Sequence, residues 1–317
     1  MAHSSYTFED LSGTTSSTSD NPYDGLIEAC RNDPAQIQAR YSTHRNTRGS
    51  QQRVKLLGSD FPGMTIDPIL LRLSDPTVEP GFKDPRHCLV FWARPPQKVK
   101  SLIAAVQQRI QTAASRLWLM PPDNLHMTAL EITHSLTDPE IRALVSQLEP
   151  RLPDITDYTY THRARLIKPL VTYDAQALAL SFLPAAGEAL PADRSAEDDA
   201  FSYHHLRRDL YALAGSSGVK VASRYVVPSA HLTIGRFIYA SEFEDAEGKV
   251  DSGKVAELVR VIEETNAWLQ ADYWPREGSD SIRSGGEWIV GEEKGLDCKQ
   301  GTLWYGGGER VRLGKGF

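Results

Sequence analysis

The 317-residue chain is predicted to fold as an α+β protein built mainly from antiparallel strands, on three observations. Strand-like and helix-like apolar patterns follow one another in similar order twice after residue 85. Forty per cent of the residues are apolar, enough to bury a core. Finally, two segments share one grammar of apolar run, proline break, then a histidine entering a second apolar run: Leu117-Trp-Leu-Met-Pro-Pro-Asp-Asn-Leu-His-Met-Thr-Ala-Leu-Glu-Ile132 and Tyr225-Val-Val-Pro-Ser-Ala-His-Leu-Thr-Ile-Gly-Arg-Phe-Ile238. Two halves of like order point to an internal duplication. The expectation is therefore a bilobed domain, with two mainly antiparallel sheets and flanking helices around a central cleft on a pseudo-twofold axis.

Residues 1–20 are rich in Ser and Thr, with neither a basic start nor an apolar core, and read as a disordered tail rather than a secretory signal. Residues 21–84 form an extension and connector. Its first part is helical in pieces from Pro22 to Gln51, with a break near Asp33-Pro34. Its second part is punctuated by Phe61-Pro62-Gly63, Asp67-Pro68, Asp75-Pro76, Glu79-Pro80-Gly81 and Asp84-Pro85. The main domain, 85–317, opens with a strand at His87 to Ala93. A helix at Pro96 to Ser115 follows, with Val99, Leu102, Ile103, Val106 and Ile110 on one stripe.

After the first motif strand, Asp138 to Leu148 reads as a helix, capped by Thr137 and closed into a capping box by Glu140. Strands at Arg163 to Leu170 and Ala177 to Leu183 flank a turn at Tyr173-Asp174. An acidic, alanine-rich loop from Gly187 to Ala200 leads to a helix at Tyr203 to Leu213, ended by Gly215-Ser-Ser-Gly218. The second motif strand is expected at Val226 to Ile238 and the last long helix at Lys254 to Leu269. Gly285 to Gly308 reads as a terminal hairpin with Trp288, Trp304 and Tyr305.

Composition narrows the setting. The net charge of −6 argues against a protein that coats long nucleic acid through charge alone, so DNA is not an expected partner. Cys30, Cys88 and Cys298 are odd in number and far apart, which suits a reducing compartment. No stretch approaches the ~20 apolar residues of a membrane span. An intracellular monomer, cytoplasmic or nuclear, is the expectation.

The chemistry lies in His126-Met127-Thr128-Ala129 and His231-Leu232-Thr233-Ile234. In a strand, residues i and i+2 point to the same face, so each copy sets an imidazole beside a hydroxyl. Two facing copies supply an acid, a base and two donors, which is what cleaving a phosphodiester requires. Imidazole is the side chain whose unperturbed pKa lets both protonation forms coexist near neutrality. Thr128 and Thr233 would hold non-bridging phosphate oxygens. No His, Cys or carboxylate cluster has metal-ligand spacing, so neither metal nor cofactor is expected.

At Pro121-Pro122-Asp123-Asn124-Leu125-His126-Met127-Thr128 and His231-Leu232-Thr233-Ile234-Gly235-Arg236 the chain resembles the two-histidine (2H) phosphoesterase superfamily, RNA ligase-like 2′,3′-cyclic phosphodiesterase type. The resemblance spans roughly residues 85 to 270. It departs after the first motif, where Glu131 and His134 replace the apolar and glycine residues common there. It implies a metal-independent phosphodiesterase that hydrolyses a 2′,3′-cyclic phosphate, or a 2′-linked diester, in a small nucleotide or an RNA 3′ end. His126 and His231 would be catalytic. Two rivals stand beside it: a 3′-end trimming RNA exonuclease of the same superfamily, and a non-catalytic nucleotide or RNA-end binding module. Intact His and Thr in both motifs favour an enzyme over a binder.

Arg236 either reaches the phosphate or caps the sheet edge. Trp118, Tyr173, Tyr203, Tyr225 and Trp288 are candidate stacking platforms for a base, with core or rim packing as each one's alternative.

Overall fold

Asp-Pro pairs start two of the amino-terminal helices. In the computed structural model, which describes residues 9–14, 19–222, 226–276 and 281–317, α1 (Asp24–Ala29) is followed by a break at Arg31 and Asn32, both at positive φ. Asp33 then accepts from the Ala35 amide to cap α2 (Pro34–Leu57), and Pro34 occupies the first turn, where its missing N–H leaves no hydrogen bond unmade. Asp67-Pro68 repeats the device: Asp67 accepts from the Ile69 and Leu70 amides and opens α3 (Pro68–Ser74), a helix inside the expected connector. Part of the expected tail packs on α2. Ser12 is buried, its carbonyl accepts from Arg40, and the Leu11 amide donates to His44. Residues 1–8 and 15–18 of that tail lie outside the described residues.

The order then runs β1 (His87–Ala93), α4 (Gln97–Ile110), β2 (Trp118–Leu119), β3 (Met127–Leu136), α5 (Asp138–Leu148), α6 (Leu152–Thr156), β4 (Arg165–Tyr173) and β5 (Ala177–Pro184). It continues with α7 (Tyr203–Gly215), β6 (Ala230–Arg236), α8 (Ser252–Tyr273), β7 (Trp288–Ile289), β8 (Asp297–Gly301) and β9 (Glu309–Leu313). The capping box of Thr137 and Glu140 is present at the start of α5. Helix α4 buries its predicted stripe but stops short of Ser115, because the Ile110 carbonyl turns back to accept from Ala113 and Ala114. Each of those five side chains contributes about 1.5–3 kcal/mol by leaving water, which makes α4 an anchor of the sheet. Among the described residues no helix is long and apolar enough to cross a membrane.

The strands pair antiparallel in the order β7-β4-β5-β6-β3-β1-β8-β9, with β2 on β6. The expected two sheets are thus one continuous sheet. Its halves meet at the motif strands, β3 and β6, through the single pair Met127↔Leu232. They join because both halves turn their apolar face the same way. Leu89, Phe91, Met127 and Ala129 from one half share a core with Leu178, Leu180, Leu232 and Ile234 from the other, covered by α2, α4, α7 and α8. A small second cluster of Cys88, Val90, Trp92 and Leu303 lies on the opposite face of the sheet.

The terminal hairpin needs correction. It is β8–β9, whereas Trp288 belongs to β7, which pairs with β4 at the other edge of the sheet. The acidic loop is also more than an insertion. Its Asp199 is buried and ion-pairs at 3.0 Å with the buried Arg165 guanidinium.

Candidate active site

Strand alternation builds the site. Met127, Ala129, Leu232 and Ile234 are buried in the core, so His126, Thr128, His231 and Thr233 face the opposite side, half-buried. All four line one cavity of about 60 Å³, with Arg236, Glu131, Trp92 and Trp304 among its other walls. That space holds a few waters or one phosphate-sized group. A wider cavity of about 570 Å³, lined by Leu73, Phe82, Lys83, His87, Thr302 and Tyr305, lies where the connector meets the terminal hairpin.

Simple alternation would turn Arg236, three residues after Thr233, into the core. A β-bulge prevents this. Gly235 pairs with Leu178 and Thr233 with Ala179, leaving Ile234 as the extra residue, and the parity change returns Arg236 to the cleft side. Gly235 suits the bulge because a Cβ there would stand 2.8 Å from Leu117 and 3.2 Å from the Trp118 carbonyl of β2. The first motif does the same. Thr128 pairs with Trp92 and Leu130 with Phe91, so Ala129 is extra and Glu131 joins the cleft face. Glu131 thus stands three residues after Thr128 as Arg236 stands three after Thr233, with opposite charge. The walls also differ. Opposite Arg236, Thr233 and His231 on β5 stand the small residues Ala177, Ala179 and Ser181, whereas Trp92 fills the β1 side.

His126 is held on three sides. Its Nδ1–H donates to the Asn124 carbonyl at 2.7 Å, and since a carbonyl only accepts, the proton is on Nδ1 and Nε2 carries the lone pair. Trp92 stacks on the imidazole at 3.9 Å between ring centroids, and the Arg94 guanidinium lies 4.7 Å over the same indole. Arg94 also donates to the Asp123 and Leu125 carbonyls, either side of Asn124, and is fixed by the buried Asp297 at 2.9 Å. From the hairpin, the Tyr305 carbonyl accepts from Asn124 Nδ2 at 3.0 Å. Gly306, at φ +86°, lets that contact close, since a Cβ there would sit 2.4 Å from Asn124 Cβ.

His231 has the Ser229 hydroxyl 2.9 Å from Nδ1. A hydroxyl can give or take that hydrogen bond, so the tautomer is not fixed as it is for His126. Burial moves both imidazoles away from the neutral range expected from sequence. His126 is pushed down to about 3, by burial first, against the Asn124 carbonyl and with Arg94, His231 and Arg236 adding to the fall. His231 is pushed down to about 4, again by burial first, then by Arg207, Arg48, His44 and Arg236. Without a ligand both are neutral at pH 7.

Thr128 and Thr233 bond to no other side chain among the described residues, so their hydroxyls are available to a ligand. Arg236 Nε is buried with no hydrogen-bond partner, and the side chain is steadied by Asp67 at 3.5 Å and lies 5.8 Å over the Tyr305 ring. A guanidinium that lines an anion-sized cavity and has donors to spare suits a phosphate. Asp67, from the connector, also accepts from Tyr305 Oη at 2.7 Å.

The stacking candidates divide. Trp118 is half-buried at the cleft rim, opposite Arg236 on the neighbouring strand and edge-on to Tyr305 at 6.1 Å. Tyr203 and Trp288 are fully buried and no base can reach their rings: Tyr203 sits under β3 with its hydroxyl on the Thr128 carbonyl, and Trp288 packs against Phe182. Tyr173 is buried in the core at the end of β4. Tyr225 lies outside the described residues. Sequence reasoning passed over Trp92, Arg94, Asp67, Tyr305 and Arg207. A tryptophan two residues before an arginine on the strand before the first motif was the one visible signal.

No family model matches the chain, nor does any curated protein. Solved structures of similar shape exist at low identity. A conserved protein of unknown function from Agrobacterium tumefaciens shows a TM-score of 0.45 and 14% identity, over 74% of this chain and 88% of that one. Usb1 from Kluyveromyces marxianus, solved with uridine monophosphate, gives 0.37 and 13% over 72% and 96%, and without it 0.35 and 14% over 68% and 94%.

Proposed function

We propose that the chain is a metal-independent phosphodiesterase of the 2H type, which hydrolyses a 2′,3′-cyclic phosphate or a 2′-linked phosphodiester in a small nucleotide or an RNA 3′ end. One observation carries the reading: two His-x-Thr strands meet side by side, and their two imidazoles, two threonines and the Arg236 side chain line one anion-sized cavity. The like placement of Arg236 and Glu131 by two bulges supports the pseudo-twofold view of the fold.

His126, with its proton on Nδ1 and the Nε2 lone pair unprotonated, suits the base. It takes a proton from the attacking water as the new P–O bond forms. His231 suits the acid, giving its proton to the ribose oxygen as the old P–O bond breaks. Thr128, Thr233 and Arg236 hold the non-bridging oxygens as their charge grows. The products are a phosphomonoester and a free hydroxyl. The wider cavity beyond Tyr305 offers room for a nucleoside.

The rival exonuclease reading differs in the product rather than in the site. Incubating the protein with 2′,3′-cyclic mononucleotides, 2′–5′ dinucleotides and a 3′-tailed RNA, with EDTA present, separates them. Ring opening of the mononucleotide supports the first reading and stepwise RNA shortening alone the second. Tight binding without turnover of any substrate would leave a binding module.

A further inference from the structure

Strands β3 and β6 themselves share a single residue pair, Met127↔Leu232, and the further pairing of β6 on that edge is with the short β2, so a tie beneath the histidine ends of β3 and β6 adds to what fixes their separation. Helix α7 crosses beneath this junction. Arg207 on it is 1% exposed, and its guanidinium donates to the Val227 carbonyl at 2.9 Å and the Ala129 carbonyl at 3.4 Å. One carbonyl belongs to the first motif strand and the other to the lead-in of the second. Tyr203, one turn earlier, adds a bond to the Thr128 carbonyl at 2.9 Å.

No carboxylate pairs with Arg207 among the described residues; the Tyr41 hydroxyl lies alongside the buried guanidinium, whose Nη2 makes no close hydrogen bond. Instead the Tyr23 ring covers it at 4.6 Å, with Tyr203 at 5.8 Å. Tyr23 comes from the amino-terminal extension, whose α1 and α2 are locked over α7 by His204. That imidazole meets the Tyr41 hydroxyl at 2.9 Å and the Tyr23 carbonyl at 3.0 Å. Leaving a buried cation unpaired is expensive, and a neutral side chain would fill the same space. The charge therefore has a use.

We propose that Arg207 is a positioning residue, which ties the two histidine strands together from beneath and sets the span across which phosphorus is held, with the amino-terminal extension as its cover. The inference rests on the phosphodiesterase reading for its catalytic consequence, but not for the tie itself. A misplacement of about 1 Å at this span costs roughly 10²-fold in rate. Its charge acts on His231 together with Arg48 and His44 from α2, Arg236 on the same strand and His126 across the cleft. Burial first, and these charges after it, keep His231 deprotonated until a phosphate arrives.

The test uses the full chain with Arg207→Met, which removes charge and donors, and Arg207→Lys, which keeps charge but not the two-carbonyl fork. Amide hydrogen exchange is compared between the Met127–Leu232 junction and the distant β4–β5 pair. Arg207→Met should speed exchange at the junction by about tenfold or more relative to β4–β5. It should lower kcat by about 10–10³-fold with little change in KM, and raise the pH of the limb set by His231. Arg207→Lys should restore that limb but not the junction. Exchange that rises everywhere alike, or stays unchanged at the junction, overturns the tie. If Arg207→Met does not fold, the lysine variant alone decides, by the same comparison. Should the wild-type protein cleave no phosphodiester, the functional reading falls while the exchange data still judge Arg207.

Discussion

His231 should titrate near pH 4 in the free protein and near neutrality once an anion fills the cavity. Burial and the surrounding cations Arg207, Arg48 and Arg236 hold the free imidazole down to about 4. One phosphate charge about 4 Å away, at an effective dielectric of about 20, favours the imidazolium by about 4 kcal/mol. At about 1.36 kcal/mol per pKa unit this is a rise of roughly three units, to about 7. Binding would then take up a proton and arm the acid only when substrate is present. Histidine-selective ¹⁵N NMR titration, with and without saturating inorganic phosphate, reads this directly. His204, buried away from the cleft and held down to about 3, is the internal control and should stay low in both. In kinetics, the limb set by His231, on the alkaline side, should lie at higher pH in kcat than in kcat/KM. A His231 that titrates near 6.5 without ligand, or does not move when phosphate signals show binding, would refute the reasoning.

Arg236→Met should raise KM by about 10- to 100-fold, the worth of a charge-assisted hydrogen bond to phosphate, with no loss of Tm. Asp67→Asn keeps the cap of α3, since asparagine caps as well as aspartate, but releases Arg236; steady-state kinetics should show KM up by about 3- to 10-fold, while urea unfolding is unchanged. Acid should destabilise the fold early. Unfolded histidines protonate near 6.5, whereas folded His204 and His205 do so only at about 3 and about 4, both held down by burial. The unfolded chain therefore binds more protons between those values, and stability, full above pH 6.5, falls as pH drops toward 4 by up to about 1.4 kcal/mol per unit and histidine. His204→Gln should flatten that slope in urea titrations; an unaltered slope would contradict the assignment.

The parts of this site that follow strand alternation were legible in the sequence. His126, Thr128, His231 and Thr233 share a face because the period of a strand is two, and the helices carried their caps and stripes openly. What alternation alone could not reveal are the bulges, because one extra residue reverses parity without changing composition; Arg236 and Glu131 reach the cleft only through them. Long-range partners were hidden for another reason. Asp67 and Tyr305 lie far from Arg236 in sequence, and their meeting depends on how the connector and hairpin close over the motif strands. Aromatic residues misled. Tyr203 has the polar handle of a ligand platform, but its hydroxyl instead satisfies a strand carbonyl in the core, and Trp288 is buried for its apolar bulk against Phe182. The one-pair junction also lay beyond pattern reading, since two half-sheets with a common apolar side look the same whether they touch or not.

Turnover of a 2′,3′-cyclic mononucleotide by His126→Ala and His231→Ala, each beside the wild-type protein in excess EDTA, tests the central claim most directly. Wild-type activity should survive chelation, and each variant should lose about 10²–10⁴-fold in kcat while folding normally, the scale of a positioned acid or base. Wild-type-like turnover in either variant, or activity that EDTA abolishes and zinc or manganese restores, would contradict it.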